Sequence, residues 1–141
     1  MKLSETHRVT KQRRVILDTL RERCDHPSAD VLYARVREKM PHISLGTVYR
    51  NLEVLHTMGL VEKIDVGSGQ ARYDGDPRPH CHAVCSVCSK VVDVPDRAVT
   101  SFTFDYRLIE RFEITGHVVL FVGVCRDCRE EEGRKEKGQQ R

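Results

Sequence analysis

The chain has 141 residues, of which 39% are hydrophobic and 32% charged, with a formal net charge of +3. This suits one or two small domains and excludes a membrane-spanning helix, because no apolar run is long enough to cross a bilayer. The beginning, M-K-L-S-E-T-H-R, lacks the apolar centre of a signal peptide, so we expect a cytoplasmic protein. Residues 1–75 carry 13 Lys and Arg against 10 Asp and Glu. This excess indicates either an anionic partner or an ordinary solvated surface.

Three short helices are predicted in the first half, each preceded by a hydroxyl residue that can cap it. Thr10 precedes the first helix, Ser28 the second and Ser44 the third. Pro41 closes the second helix, and Gly59 supplies the left-handed residue that typically ends a helix such as the third.

Two strands joined by Gly67-Ser68-Gly69 follow, and they complete a winged helix-turn-helix pattern. In this layout the third helix enters the major groove by its N-terminal residues, and the hairpin wing lies near the backbone or the minor groove. We therefore expect polar and cationic residues at these places, and in the first turns of the first helix, to contact DNA. They are Lys11, Arg13, Arg14, Ser44, Thr47, Tyr49, Arg50, Lys63 and Arg72.

The segment Asp76-Pro77-Arg78-Pro79 is stiff and cannot continue a sheet. We expect a hinge over residues 76–79, between a DNA-binding domain of residues 1–75 and a second domain of residues 80–141. So short a second domain has few residues for a core of its own, and we expect a metal or a partner chain to stabilise it.

The second domain is predicted to be a small α/β domain, which makes the whole chain α+β. Its predicted elements are strands near residues 80–84 and 90–94, a helix near 97–112, a long apolar strand over 117–125 and a charged, frayed tail.

Four cysteines form the strongest chemical signal. Cys85 and Cys88 make one C-x-x-C pair, and Cys125 and Cys128 make another. Two intervening residues let both thiolates of a pair reach one tetrahedral ion, and four sulfur ligands leave no position for water. We therefore predict a structural zinc site, with two redox disulfides or unligated core cysteines as the alternatives.

A second cluster carries nitrogen and oxygen donors. His80 and His82 are two residues apart, so on a strand they point to the same face. Together with Asp74 and Asp93 they can bind a cation such as iron or manganese, although histidines beside a cysteine knuckle often only support another site. His26, between the first two helices, is a candidate ligand from the first domain and would let a metal ion fix the angle between the domains.

Several segments together resemble the ferric uptake regulator superfamily, in order and spacing, from about Thr10 to Cys128. They are H-P-S-A-D-V-L-Y, S-L-G-T-V-Y-R-N-L-E-V-L, R-Y-D, H-C-H-A-V-C-S-V-C-S-K-V-V-D and C-R-D-C. The resemblance implies a homodimeric, metal-dependent transcriptional repressor, not an enzyme, that binds a near-palindromic operator in double-stranded DNA. It also implies a C-terminal dimerisation domain with structural zinc at the four cysteines. The implied regulatory site holds Fe²⁺ or Mn²⁺ at His26, Asp74, His80, His82 and Asp93.

Within this superfamily the chain is most similar to the peroxide-stress regulators. These typically carry Asp at the position of Asp93, where iron-uptake regulators typically carry Glu. The resemblance then implies that peroxide reacts at bound Fe²⁺ and that the product oxidises a ligand histidine at position 26, 80 or 82, which releases DNA. The alternative is an iron- or zinc-uptake regulator that responds to metal level.

Two features leave other interpretations open. Cys81 stands between the two histidines, where the family leads us to expect an aromatic or polar residue. It is therefore a core thiol, an extra soft ligand or an oxidation site. Two histidines and a carboxylate also form the facial triad of non-haem iron oxygenases, but five protein ligands leave at most one metal position open.

Overall fold

The computed structural model describes residues 8–67, 69–105, 107 and 109–139, and within them the chain forms two compact units. The first unit ends at Arg78 and the second begins at Pro79. The first contains three α-helices and a two-stranded sheet, and the second contains a three-stranded sheet and a C-terminal helix. None of the helices described is both long and apolar enough to span a membrane.

The helices of the first unit begin where the sequence predicts. They are α1 (Lys11–Arg21), α2 (Ala29–Lys39) and α3 (Leu45–Thr57). The side-chain oxygens of Thr10, Ser28 and Ser44 each accept a hydrogen bond from a backbone N–H in the first turn of the helix that follows. Gly59 follows α3 with a φ of 71°, which confirms the left-handed C-terminal residue.

The wing is a short antiparallel hairpin of β1 (Glu62–Ile64) and β2 (Arg72–Asp74), with Lys63 opposite Tyr73. Both strands are shorter than the segments 60–66 and 70–74 that the sequence pattern predicts as strands. After β1 the Asp65 side chain accepts a hydrogen bond from the Gly67 N–H at 2.9 Å, a local turn that replaces strand pairing. The predicted turn includes Ser68, which lies outside the described residues.

One apolar core holds the first unit together and fixes which face of α3 turns outward. Val48, Leu52 and Leu55 are fully buried on one side of α3. Tyr49 and Arg50 therefore lie on the exposed side. The other core residues come from α1, α2, the loop before α3 and the two segments of the wing: Ile16, Leu17, Leu20, Ala29, Leu32, Val36, Ile43, Val61 and Tyr73.

The second unit has the strand order β4-β3-β5. Its strands are β3 (Cys81–Cys85), β4 (Val91–Val94) and β5 (Leu120–Gly123), and α4 (Arg126–Gln139) follows β5. The antiparallel pairing of β3 with β4 puts His82 opposite Asp93. The parallel pairing of β3 with β5 puts Cys85 opposite Gly123, which brings the two cysteine pairs to the same end of the sheet.

The helix expected near residues 97–112 is not formed. Among the described residues between 95 and 119, the structure has a 3-10 turn, Asp96–Ala98, 3-10 geometry again at Arg107, and otherwise irregular chain. The stretch T-S-F-T-F at 100–104 is rich in residues of low helix propensity. Phe102 and Phe104 are more than half exposed, so their burial does little to compensate for that weakness.

The charged tail is helical where a frayed segment was expected. Residues of α4 are mostly Arg, Glu and Lys, which favour helix even without an apolar face. Arg126 and Glu130 form an ion pair of 2.7 Å one turn apart, which adds a small stabilisation.

Candidate metal centres and nucleic-acid interface

The four cysteines predicted to bind zinc lie together in the second unit. Their sulfur atoms are all within 4.8 Å of one another. Cys85 lies 3.9 Å from Cys128, and Cys88 lies 3.8 Å from Cys125. Four thiolates around one tetrahedral zinc ion, each at about 2.3 Å from it, are separated by about 3.8 Å. The arrangement therefore fits a structural zinc ion with all four positions filled by sulfur.

Backbone geometry prepares this cluster for a cation. Ser89 adopts a left-handed φ of 60° that turns the chain after Cys88, and the Cys125 N–H donates to the Cys85 sulfur at 3.3 Å. Backbone N–H groups of Cys125 and Cys88 lower the pKa of Cys85 to about 6, because they stabilise its thiolate. The pKa of Cys128 is raised, first by its hydrogen bond with Cys125 and then by burial. Four neighbouring thiols cannot all ionise without a cation to offset their charge.

Three of the five predicted regulatory ligands lie together in the second unit. Asp93 Oδ1 is 3.0 Å from His80 Nε2 and 3.4 Å from His82 Nε2. The two imidazole rings are 4.3 Å apart between centroids. His82 is buried and Asp93 is exposed, so the cluster lies at the surface of the sheet with one ligand reaching inward. Cys81, between the histidines, is half-buried and pairs with Val94.

The other two predicted ligands, His26 and Asp74, form a pair in the first unit. His26 Nε2 is 3.1 Å from Asp74 Oδ2, and both residues are buried, with 3% and 8% of their surface exposed. Asp74 Oδ1 also accepts the N–H of Asp76 at 2.8 Å. A buried imidazole beside a buried carboxylate provides nitrogen and oxygen donors suited to iron or manganese.

The loop that carries His26 is held on both sides. His26 has a φ of 49°, a left-handed conformation that is uncommon outside glycine. The N–H of Tyr73 donates to the Pro27 carbonyl at 3.0 Å, which links the loop to β2. Arg35 of α2 donates to both carboxylate oxygens of Asp25, at 3.0 and 2.5 Å. Neither Asp25 nor Arg35 was predicted from the sequence to support the site. Two opposite charges ten residues apart are common and do not indicate an ion pair.

The nine predicted DNA-contacting residues differ in exposure. Lys11, Arg14, Ser44, Tyr49, Arg50 and Lys63 are exposed, and Arg13, Thr47 and Arg72 are half-buried. Two of the cations donate to side chains of α3. Lys63 donates to Glu53 at 2.7 Å, and the Arg13 guanidinium donates to Asn51 at 3.1 Å.

Three polar residues near this surface were missed from the sequence. Asp30, in the first turn of α2, lies 3.4 Å from the Tyr49 hydroxyl and accepts a hydrogen bond from the wing residue Gln70 at 3.2 Å. Asn51 is only 6% exposed. The signal for Asn51 was present, since it is the one polar residue among the buried positions of α3.

Comparison with known proteins gives one consistent result. The model of the ferric uptake regulator family matches residues 4–121. The peroxide operon regulator of Bacillus subtilis is 34% identical over 125 residues, which cover 89% of this chain and 86% of that protein. The Campylobacter jejuni peroxide stress regulator has a similar structure, with a TM-score of 0.65, 30% identity and coverage of 83% and 88%. A zinc uptake regulator solved with zinc and DNA gives a TM-score of 0.62 at 25% identity, covering 89% and 86%.

Proposed function

Since the chain belongs to the ferric uptake regulator family, we propose that it is a metal-dependent transcriptional repressor that senses peroxide through a ligand histidine. The observation that carries this proposal is the donor set of two clusters, His80, His82 and Asp93 in one unit and His26 and Asp74 in the other. The similarity to regulators named for their peroxide response supports the choice of signal.

Two metals with different tasks fit the two kinds of donor. Cys85, Cys88, Cys125 and Cys128 would hold zinc, which closes the end of the three-stranded sheet and leaves no open position for chemistry. The histidines and aspartates would hold Fe²⁺ or Mn²⁺, as nitrogen and oxygen ligands suit these ions. Bound Fe²⁺ would supply the electron that reduces peroxide, and the oxygen added to a nearby imidazole would come from that peroxide, whereas Mn²⁺ would not reduce it.

We assign all five ligands to one ion, so that occupancy of the site influences the arrangement of the two units. His26 belongs to the loop before α2, and Asp74 ends the wing, so both residues are part of the DNA-binding unit. The metal ion can shift an equilibrium between two arrangements of the units only by the difference between its affinities for them. An oxidised imidazole binds metal poorly. The metal then no longer favours the DNA-binding arrangement, and DNA is released.

DNA binding requires two copies of the exposed face of α3. In a homodimer, two recognition helices would enter successive major grooves of a near-palindromic operator, while the wings follow the backbone. The apolar residues that the second unit exposes, among them Phe102, Phe112, Val118 and Val122, support dimerisation through that unit. Such a regulator acts where the chromosome is, in the cytoplasm.

The test is peptide mapping of the protein loaded anaerobically with Fe²⁺ and exposed briefly to peroxide, with an Mn²⁺-loaded sample as the control. We expect one added oxygen on the peptide that carries His26, or on the one that carries His80 and His82, and only with iron. Metal-dependent DNA binding without any added oxygen would instead indicate an iron- or zinc-uptake regulator. Oxidation confined to Cys81 or to the four zinc ligands would overturn the histidine mechanism and indicate a thiol switch.

A further inference from the structure

A polar bridge links the first turn of α1 to the recognition helix α3. Arg13 Nε donates to Asn51 Oδ1 at 3.1 Å, and Arg13 Nη1 donates to the Arg8 carbonyl at 2.6 Å. The Asn51 amide nitrogen donates in turn to the Thr47 carbonyl at 2.9 Å. That carbonyl can only accept, so the Asn51 amide must present its oxygen to Arg13, which can only donate. Every group in the bridge thus has a partner of the right kind.

The bridge ends at the turn that would meet DNA. Thr47, whose carbonyl Asn51 holds, donates its N–H to the capping oxygen of Ser44 at 3.1 Å. Arg50 Nη2 lies 3.5 Å from the Thr47 hydroxyl. A rotation or shift of α3 against α1 would therefore break the bonds of Asn51, and it would move the side chains that read the bases.

Burial distinguishes Arg13 and Asn51 from the other polar residues of this surface. Asn51 is 6% exposed and lies between the fully buried Val48 and Leu52, where water cannot replace a lost partner. Arg13 is half-buried; its Nε donates to the buried Asn51, and its Nη1 donates to the carbonyl of the exposed Arg8. Lys11 and Arg14, in the same turns of α1, are exposed and match the usual surroundings of a phosphate contact.

We propose that Arg13 is a positioning residue that sets the seating of α3 through Asn51, and so controls sequence discrimination and not phosphate attraction. This inference rests on the proposed DNA-binding function. It separates Arg13 from Lys11 and Arg14, although the sequence alone gives all three the same role. A phosphate contact contributes affinity equally on every sequence and adds to the salt dependence of binding. A positioning residue contributes mainly on the correct sequence.

The experiment measures binding of the full-length, zinc- and Mn²⁺-loaded protein to two DNA duplexes over a range of salt concentrations. One duplex is an operator selected from random DNA with the wild-type protein, and the other is unrelated. For Arg13→Gln we expect the ratio of the two affinities to fall about tenfold, the order of one lost base contact, with an unchanged salt slope. The matched control, Arg14→Gln, should weaken both duplexes equally and reduce the slope by about one.

Arg13→Lys distinguishes the two roles further, because it keeps the charge and loses the planar guanidinium that reaches both Asn51 and Arg8. We expect it to lose discrimination as Arg13→Gln does, whereas a phosphate contact would be restored by lysine. Asn51→Leu should produce the same loss, and the Arg13→Gln, Asn51→Leu double variant should lose no more than either single variant. Thermal unfolding at an unchanged midpoint identifies the variants that fold.

Two results would overturn the inference. One is a reduced salt slope with equal loss on both duplexes for Arg13→Gln, and the other is full restoration by lysine. Failure of the proposed function has a different outcome, since wild-type protein would then select no DNA sequence at all. In that case both the function and this role of Arg13 are excluded.

Discussion

The two units bury their apolar side chains to very different extents. In the first unit, Ile16, Leu32 and Leu52 are completely inaccessible within a core shared by three helices and the wing. In the second unit Val84 and Val91 are buried, but Phe112 is 70% exposed and Val118 is 86% exposed. The first unit is therefore held by its own hydrophobic contacts, whereas the second depends on the thiolate cluster and on a second copy.

Because of this difference, we expect one of the two proposed metals to affect folding and the other to affect DNA binding. A zinc ion at the four cysteines would replace the core that the second unit lacks, so its loss is a folding event. The proposed regulatory ligands His26 and Asp74 are carried by a unit that folds around its own core. Loss of the regulatory ion is therefore expected to change DNA binding while both units remain folded.

The largest expected effect comes from breaking the thiolate cluster with Cys85→Ser. Structural zinc contributes on the order of 10 kcal/mol in small domains, comparable to the whole stability of such a domain. We expect the variant to lose zinc and its dimeric state, measured by metal analysis and sedimentation. The matched control is Cys24→Ser, an exposed cysteine outside the cluster, which should retain both. A zinc-free Cys85→Ser protein that remains dimeric would contradict the dependence of the second unit on the cysteine cluster.

The opposite perturbation is Leu52→Ala in the core of the first unit. Truncation of this fully buried side chain should lower the free energy of unfolding of that unit by about 2–5 kcal/mol. Three of the four tyrosines, Tyr33, Tyr49 and Tyr73, belong to this unit, so tyrosine fluorescence during urea unfolding measures it. Zinc content should be unchanged. Val31→Ala, at a position that is 43% exposed, is the control and should have little effect; an equal loss there would refute the core assignment.

Features that depend on neighbouring residues were predictable from the sequence, and features that depend on distant contacts were not. The three caps at Thr10, Ser28 and Ser44 were predicted correctly, because a cap needs only its own hydroxyl and the next turn. The cysteine cluster was also predictable, since C-x-x-C spacing encodes the geometry of one tetrahedral ion. The prediction of a helix near 97–112 was wrong for the described residues, where Phe102 and Phe104 stay more than half exposed and gain little from burial.

The bonds of Arg13 and Lys63 to α3 were not predictable for a related reason. Only the packing of α1 and β1 against α3 brings Asn51 within reach of Arg13 and Glu53 within reach of Lys63. The pairing of His26 with Asp74 spans 48 positions and depends likewise on the fold of the whole unit.

A smaller effect is expected from Arg35→Met, which tests whether the first unit prepares its half of the regulatory site. The substitution removes both hydrogen bonds to Asp25 beside the left-handed His26. Supporting bonds of this kind typically change metal affinity by about tenfold, so we expect weaker Mn²⁺ binding by calorimetry on the zinc-loaded protein. Arg37→Met, two residues further along α2, removes the same charge from an exposed position and should leave the affinity unchanged. Equal effects of both variants would indicate a general charge effect.

The smallest expected effect is the pH dependence of the Asp25–Arg35 pair. Hydrogen bonds from the Arg35 guanidinium hold the pKa of Asp25 below its usual value of 3.8. A carboxyl group whose pKa is lowered by folding stabilises the folded state above its ordinary pKa, and this contribution disappears as the pH falls through the lowered value. The Asp25 side chain is 44% exposed, so solvent screening limits the contribution to about 0.5 kcal/mol. Urea unfolding followed by tyrosine fluorescence should therefore separate wild type from Asp25→Asn at pH 7, and the gap should narrow below pH 3.8. A gap that stayed constant down to acid pH would mean that Asp25 acts through the shape of the His26 loop and not through its charge.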